Sequence, residues 1–106
     1  MLRNALSLLA AWLVIWPTGS HADQISGKTK ARPCVVCHGP LGVSMAPDAP
    51  HLAGQPERYV IEQLKAYRSG KRRHEIMSPM ARTLNDDDIA DLAAWFSSLT
   101  IRVDPP

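Results

Sequence analysis

Apolar side chains recur at helical spacing in two stretches of the chain. In the first stretch, residues 56–68, they stand three or four positions apart at Tyr59, Val60, Leu64 and Tyr67. Pro56 suits the first position of a helix, where an N–H would have no partner within the helix, and Gly70 is a typical terminator. The pattern therefore predicts an amphipathic helix over residues 56–68.

The second stretch lies near the end of the chain and begins with its own capping residue. Asn85 can accept a hydrogen bond from the free N–H groups of a first turn, and the three aspartates at 86–88 suit the positive end of a helix. The buried stripe that follows consists of Ile89, Leu92, Ala93, Phe96 and Leu99. No stretch alternates polar and apolar residues over the length of a strand, so the sequence predicts an all-α domain.

The remaining stretches predict little regular structure. Residues 23–32 are polar, with Ile25 as the only large apolar side chain, so any helix there is short and depends on tertiary contacts. Pro33 would end it. The three glycines and three prolines of residues 39–55 predict a loop. Residues 71–83 are rich in basic side chains, and we expect them to be irregular.

The start of the chain has the pattern of an export signal. Arg3 supplies a positive charge, residues 5–16 form an apolar run of 12, and Ser20 and Ala22 flank a cleavage point. An uncleaved membrane anchor is the alternative, but the run is shorter than the roughly 20 residues that cross a bilayer. We expect a cleaved signal peptide over residues 1–22, one domain over residues 23–106, a periplasmic location and no stable membrane insertion.

A domain of this length has little apolar surface to bury. Small chains of this kind usually need a disulfide, a metal or a cofactor to be stable. The net charge is +2, or +1 once Arg3 leaves with the signal peptide, which argues neither for nucleic acid nor for strongly acidic partners. We expect no nucleic acid as a partner. The two cysteines are therefore the first candidates for a stabilising crosslink or cofactor.

The cysteines stand with a histidine in the spacing C-x-x-C-H, as Cys34, Cys37 and His38. This spacing is typical of covalent attachment of haem c. Two thiols on one helical turn can reach the two vinyl groups of a porphyrin, and the adjacent imidazole can approach its iron. A haem would also provide the rigid apolar centre that the domain lacks.

Three other interpretations of the motif remain open. Cys34 and Cys37 could form a disulfide in an oxidising compartment. A thiol redox pair uses the same C-x-x-C spacing, although it expects a βαβ context that the sequence does not predict. A structural zinc site would need four Cys or His ligands, and beyond the motif and His21 only His51 and His74 remain.

A haem iron in an electron carrier needs a second axial ligand, and methionine raises the reduction potential relative to a second histidine. Met77 and Met80, in the stretch between the two predicted helices, are the candidates. Either methionine could instead fill the core. His51 and His74 are the alternative ligands, but we expect them to be exposed loop residues.

Together these segments resemble class I cytochromes c, above all the halves of the tandem two-haem bacterial cytochromes and their single-haem relatives. The similar segments are residues 34–39, 50–55, Tyr59, 63–64, 77–80 and 84–96. They extend over about 65 residues in one order and register. The resemblance implies a class I cytochrome c fold of three to five short helices around one covalently bound haem c, and an electron carrier rather than an enzyme.

The resemblance also implies roles for individual residues. Cys34 and Cys37 would form the thioethers, His38 would be the proximal iron ligand and Met77 the distal ligand, with Met80 packed nearby. Pro50 matches the position whose backbone carbonyl orients the histidine ring. The first helix, which in that family carries a glycine and an aromatic residue that cross the final helix, is short and weakly patterned here.

A local basic cluster is the candidate docking surface for redox partners. Its members are Lys65, Arg68, Lys71, Arg72 and Arg73. We expect it either to steer an acidic electron donor or acceptor, or to form a solvated loop with contacts to haem propionates. Two other functions stay open: a haem subunit docked permanently on a larger redox enzyme, and a haem sensor or enzyme that binds a small ligand when the distal methionine leaves.

Overall fold

The computed structural model describes residues 14–15 and 21–106, and all that follows concerns these residues. Most of the predicted signal peptide lies outside them. The described part contains five α-helices and no strand, which confirms the all-α prediction. The helices are α1 (Gln24–Lys30), α2 (Val35–His38), α3 (Glu57–Ser69), α4 (Met77–Arg82) and α5 (Asp86–Ser98), with a 3₁₀ turn (Arg32–Cys34) between α1 and α2. None of these helices has the length and apolar character of a membrane span.

The two predicted amphipathic helices form as α3 and α5. Gly70 ends α3 in the left-handed conformation, with φ of +84°. Asn85 caps α5: its side chain accepts from the Asp88 N–H at 2.8 Å, and the Asp88 carboxylate accepts from the Asn85 N–H at 3.1 Å. These reciprocal bonds satisfy two N–H groups that would otherwise lack partners at the helix start.

The prediction of an irregular segment over residues 71–83 is wrong for its second half, which forms α4. The ring nitrogen Nδ1 of His74 accepts from the backbone N–H groups of Ile76 at 3.2 Å and Met77 at 3.3 Å. Pro79 is the third residue of the helix, where a missing N–H costs no intrahelical bond. The proline therefore lies in the first turn of a helix and does not interrupt one.

Helix α1 packs across α5 through a glycine. Gly27 is buried, and a Cβ at this position would overlap the backbone carbonyl of Asp91 and lie 2.8 Å from Cβ of Trp95. Ile25, the only large apolar residue of the segment, is 80% exposed. The short helix thus depends on close backbone approach, which glycine permits, and not on an apolar side chain of its own.

The apolar core is small and belongs largely to α5. Leu92 and Phe96 form its centre with Ala31, and Leu92 and Ile89 are the largest fully buried side chains among the described residues. Such a core buries little surface, as expected for the length of the chain. The side chains alone therefore leave the domain short of stabilisation.

A cluster of charges adds a second link between α1 and α5. Lys30 Nζ lies 2.7 Å from Asp91 and 3.0 Å from Asp88, and the other oxygen of Asp91 accepts from the backbone N–H of Asp23 at 2.8 Å. The Asp23 N–H, and then the Lys30 ammonium, hold the pKa of Asp91 below its ordinary value. The Asn85 N–H and Lys30 act in the same direction on the pKa of Asp88.

This cluster predicts a pH-dependent contribution to stability. A carboxylate with a lowered pKa stabilises the fold above the ordinary pKa, near 4, and loses that effect as the pH falls through its folded value. The variant D91N should unfold at lower urea concentration than the wild type at neutral pH, and the gap should shrink at about pH 3. D87N, which removes a carboxylate without a described partner, is the control; a D91N gap that stays constant with pH would contradict the prediction.

Candidate functional site

A large apolar cavity separates α2 from α3 and α4. No Cα atom of α2 lies within 8 Å of one in α3 or α4, yet residues of all three helices line the same space. The cavity has a volume of about 210 Å³ and opens to solvent on one side. Its walls are mostly apolar, as in sites for small molecules and cofactors.

The C-x-x-C-H motif forms the α2 wall of this cavity. Cys34, Cys37 and His38 all line it, and both thiols are half-buried and free. Burial raises the pKa of Cys34, and the neighbouring Cys37 raises it further. Thiol redox pairs instead have lowered pKa values, so this environment argues against the redox-pair interpretation.

His38 is buried at the cavity wall and held by a backbone carbonyl. Its Nδ1 donates a hydrogen bond to the carbonyl oxygen of Pro50 at 2.9 Å. This is the contact implied by the resemblance for Pro50. Because the proton is on Nδ1, the Nε2 atom keeps its lone pair and can ligate a metal.

Ser44, which the sequence did not single out, and His51 together brace the loop carrying Pro50. Ser44 is buried; its hydroxyl donates to the carbonyl of Cys37 at 2.8 Å and accepts from the Ala46 N–H at 3.0 Å. The Ser44 N–H in turn donates to Nδ1 of His51 at 2.8 Å. The brace ties the loop to α2, but no spacing in the sequence indicates it, because its partners meet only in the folded loop.

The histidines proposed as alternative ligands lie outside the cavity. His51 is exposed, as expected, and its Nδ1 is occupied by Ser44, while Nδ1 of His74 caps α4. Neither residue lines the cavity. Among the described residues no group of three or more His, Cys, Asp or Glu side chains could hold a metal ion, so the zinc interpretation finds no ligand set.

Both candidate methionines line the cavity on the side away from α2. Met77 is half-buried at the first position of α4, and Met80, one turn later, is 39% exposed. The structure therefore brings the histidine and a methionine to facing walls of one cavity. Gln63 of α3, a residue to which the sequence assigned no role, lines the same side.

The predicted basic cluster does not form a uniform surface. Arg68 is engaged within the chain, since its guanidinium donates to the Leu84 carbonyl at 3.1 Å and to Asp86 at 2.6 Å. Arg72 donates to Gln63 at 2.7 Å. Lys65, Lys71 and Arg73 are exposed and make no ion pair in the described part of the chain.

These features fit a c-type haem. The cavity offers two adjacent thiols, a histidine with a free Nε2, apolar walls and a thioether on the far side. Sulfur and imidazole ligands in a largely apolar setting suit an iron porphyrin. The class defined by the fold and the site is that of small haem proteins with a covalently attached cofactor.

Comparison with known proteins makes the class more specific. The family model described as cytochrome c matches residues 24–100. The chain belongs to the cytochrome c family, and it carries one covalently bound haem c with its iron. The class I resemblance read from the sequence is confirmed.

Individual relatives support this assignment. The chain is 46% identical to cytochrome c-554(548) of Halomonas halodenitrificans over 79 residues, covering 72% of this chain and 95% of the relative. It is 41% identical to cytochrome c4 of Pseudomonas aeruginosa, covering 91% of this chain and 49% of that protein. The crystal structure of reduced recombinant cytochrome c4 from Pseudomonas stutzeri superposes with a TM-score of 0.71 at 39% identity, covering 74% of this chain and 46% of that one. The chain thus spans about half the length of the c4 relatives and nearly all of c-554(548).

The loop brace predicts that Ser44 contributes to both stability and site geometry. In S44A the Cys37 carbonyl and the Ala46 N–H lose a partner, which should cost about 1–2 kcal/mol in unfolding free energy. The loop that holds Pro50 against His38 should loosen as well, so the reduction potential of the haem protein should also change. Urea unfolding and a redox titration measure the two effects.

The control for this prediction is S98A, which removes a hydroxyl bonded only to the carbonyl of Trp95 in its own helix. If S44A behaves like S98A in both measurements, Ser44 does not brace the site.

Proposed function

We propose that the protein is a periplasmic carrier of single electrons whose haem iron is held by His38 and Met77. The observation that supports this most is the pairing across one cavity of a buried histidine, free at Nε2, with a methionine on the facing wall. With the iron held by both His38 and Met77, no position would remain open for a substrate. Such a site transfers electrons in preference to activating small molecules.

The bound haem would supply the one-electron change between ferric and ferrous iron. The residues of the chain supply the surroundings of that change. Pro50 fixes the tautomer and orientation of His38, and the brace of Ser44 fixes Pro50 in turn. Apolar side chains such as Leu92 and Phe96 line the cavity and would shield the bound haem from part of the solvent. A rigid and largely apolar site would change little between oxidation states, which favours fast electron transfer.

Met77 is the better distal candidate of the two methionines. Its backbone N–H is fixed by His74 at the start of α4, whereas Met80 lies further along the helix and is partly exposed. A ligand must be held in place against exchange with water, so the more buried and better anchored residue is favoured. In the family that the sequence resembles, the distal ligand stands seven residues before the leucine that opens the last helix, and Met77 stands seven residues before Leu84.

The contact between Asp23 and Asp91 supports removal of residues 1–22 as a signal peptide. Asp23 is the capping residue of α1, and its backbone nitrogen lies 2.8 Å from the carboxylate of Asp91. Cleavage before Asp23 would turn this N–H into an ammonium group beside that carboxylate. The new terminus would then be tied into the fold by an ion pair instead of fraying.

The proposed function is tested by producing the full-length chain in a bacterial host that attaches haem c. The protein should reach the periplasm, show the pyridine haemochrome spectrum of a haem bound by two thioethers, and have the mass of residues 23–106 plus one haem. The weak red-edge absorption band that methionine ligation gives to ferric haem should be present in the wild type and in M80L, and absent in M77L.

Each other outcome has a definite meaning. Loss of the red-edge band in M80L with retention in M77L would assign the distal position to Met80. Absence of the band from the wild type, together with carbon monoxide binding to the reduced protein at neutral pH, would replace the electron carrier with a ligand-binding haem protein.

We also propose that the exposed part of the basic cluster guides acidic redox partners. Arg68 is bound to Asp86 and is left out of this surface. The other four members of the cluster are exposed: Lys65, Lys71, Arg72 and Arg73. Three of them follow one another after the end of α3, close in sequence to Met77 and Met80, whose side of the cavity we call the methionine wall. Positive charges near a redox site raise the rate of encounter with anions at low ionic strength.

The docking proposal predicts a salt-dependent rate. In the double variant K71Q/R73Q, the rate at which the anionic oxidant hexacyanoferrate(III) takes one electron from the reduced haem protein should fall by about two- to tenfold at low salt, with no difference at high salt. Stopped-flow mixing measures the rate. R58Q, which removes one arginine already paired with Glu62, is the control; an effect of R58Q as large, per charge removed, as that of the double variant would reduce the proposal to net charge alone.

A further inference from the structure

Arg72 makes two specific contacts although it lies in an exposed loop. Its Nη1 donates to Oε1 of Gln63 at 2.7 Å, and its guanidinium lies over the ring of Tyr67, 4.7 Å from the ring centre. Its backbone N–H also donates to the carbonyl of Ala66 at 3.1 Å. The side chain is thus fixed against α3, and within the described residues it makes no ion pair that would explain its position.

The chemistry of arginine fixes the orientation of the Gln63 amide. A guanidinium has donors only, so the amide atom that faces it must be the carbonyl oxygen. The Nε2 group is then turned away from Arg72. No described residue accepts a hydrogen bond from it, while Gln63 lines the haem cavity. A donor oriented in this way is available to an acceptor inside the cavity.

The methionine wall supplies an acceptor on the same side. Helices α3 and α4 pack together, and Gln63 and Met77 line the cavity from these two helices, away from α2. A thioether sulfur is a weak acceptor, and its side chain is flexible unless something holds it. A donor beside it would restrict the rotation of the thioether.

We infer that Arg72 and Gln63 form a positioning pair for the distal ligand, in which Arg72 fixes the amide and Gln63 Nε2 donates to the sulfur of Met77 in the haem-bound protein. The inference rests on the proposed His38 and Met77 ligation. Stacking on Tyr67 keeps the guanidinium in place, and its positive charge makes the amide a stronger donor. The pair then holds the methionine in its place and resists its replacement by other ligands.

The test measures how readily the methionine is displaced from the ferric haem protein by imidazole. In Q63L and R72Q the apparent dissociation constant for imidazole should fall about threefold to tenfold, the equivalent of one lost hydrogen bond. R72K, which keeps a donor within reach of Gln63, should recover part of the loss. R73Q removes the same charge from the next residue and should leave the constant unchanged.

A second readout separates positioning from general loosening. The red-edge band should weaken or shift in Q63L and R72Q but not in R73Q, and the reduction potential should fall more in R72Q than in R73Q because a fixed cation near the iron disfavours the ferric state. Urea unfolding of all four variants shows whether any change merely follows lower stability.

Two results would overturn the inference. In the first, Q63L leaves imidazole binding and the red-edge band unchanged but alters the pH dependence of the reduction potential. This would show that the amide donates to the carboxylates of the haem and not to the methionine. Equal effects of R72Q and R73Q would show that only charge matters. If the wild type has no methionine band, or keeps it in M77L, the proposed ligation itself fails, and the wild-type and M77L spectra reveal this before any Gln63 variant is considered.

Discussion

The structure depends on a space that the protein's own side chains leave unfilled. Helix α2 has no backbone contact with α3 or α4, and the cavity between them is bordered by cysteines on one side and methionines on the other. The polypeptide core consists of little more than Leu92, Phe96 and their neighbours. The protein carries a covalently bound haem c, and this cavity is the place proposed for it, between helices that do not contact each other directly. Covalent attachment suits such a site because the group cannot leave and expose the apolar walls.

Around the cavity, a small number of hydrogen bonds hold individual side chains in fixed orientations. The carbonyl of Pro50 orients His38, and the hydroxyl of Ser44 ties the same loop to the backbone of α2. On the opposite side Arg72 orients the amide of Gln63. The bonds of Pro50 and Ser44 are partly buried, where a hydrogen bond is less weakened by competing water, whereas the bond between Arg72 and Gln63 is exposed. The proposed ligands of the metal are therefore supported by a second set of residues, which lie in the loops after α2 and α3 and, in the case of Gln63, on α3 itself.

The basic residues of α3 and the loop after it illustrate how one charged segment serves several ends. Arg68 links α3 to the start of α5 through Leu84 and Asp86, and it lowers the pKa of Asp86 by its hydrogen bond and its charge. Arg72 faces the cavity wall through Gln63, whereas Lys71 and Arg73 point to solvent. Their identical charge made them one cluster in the sequence. Only the direction of each side chain separates a structural role from a surface one.

The sequence by itself determined the helices with strong periodicity, α3 and α5, and the motif at Cys34, Cys37 and His38, because these signals lie within a few neighbouring residues. It did not predict α4, since the cap from His74 and the place of Pro79 in the first turn are visible only when the turn has formed. It also could not show that Gly27 lets α1 approach α5, or that Ser44, His51 and Gln63 support the site. These contacts join residues whose spacing follows no period. The tertiary structure alone decided them, because hydrogen bonds and close packing depend on distances in space. In irregular loops these distances do not follow from the order of the residues along the chain.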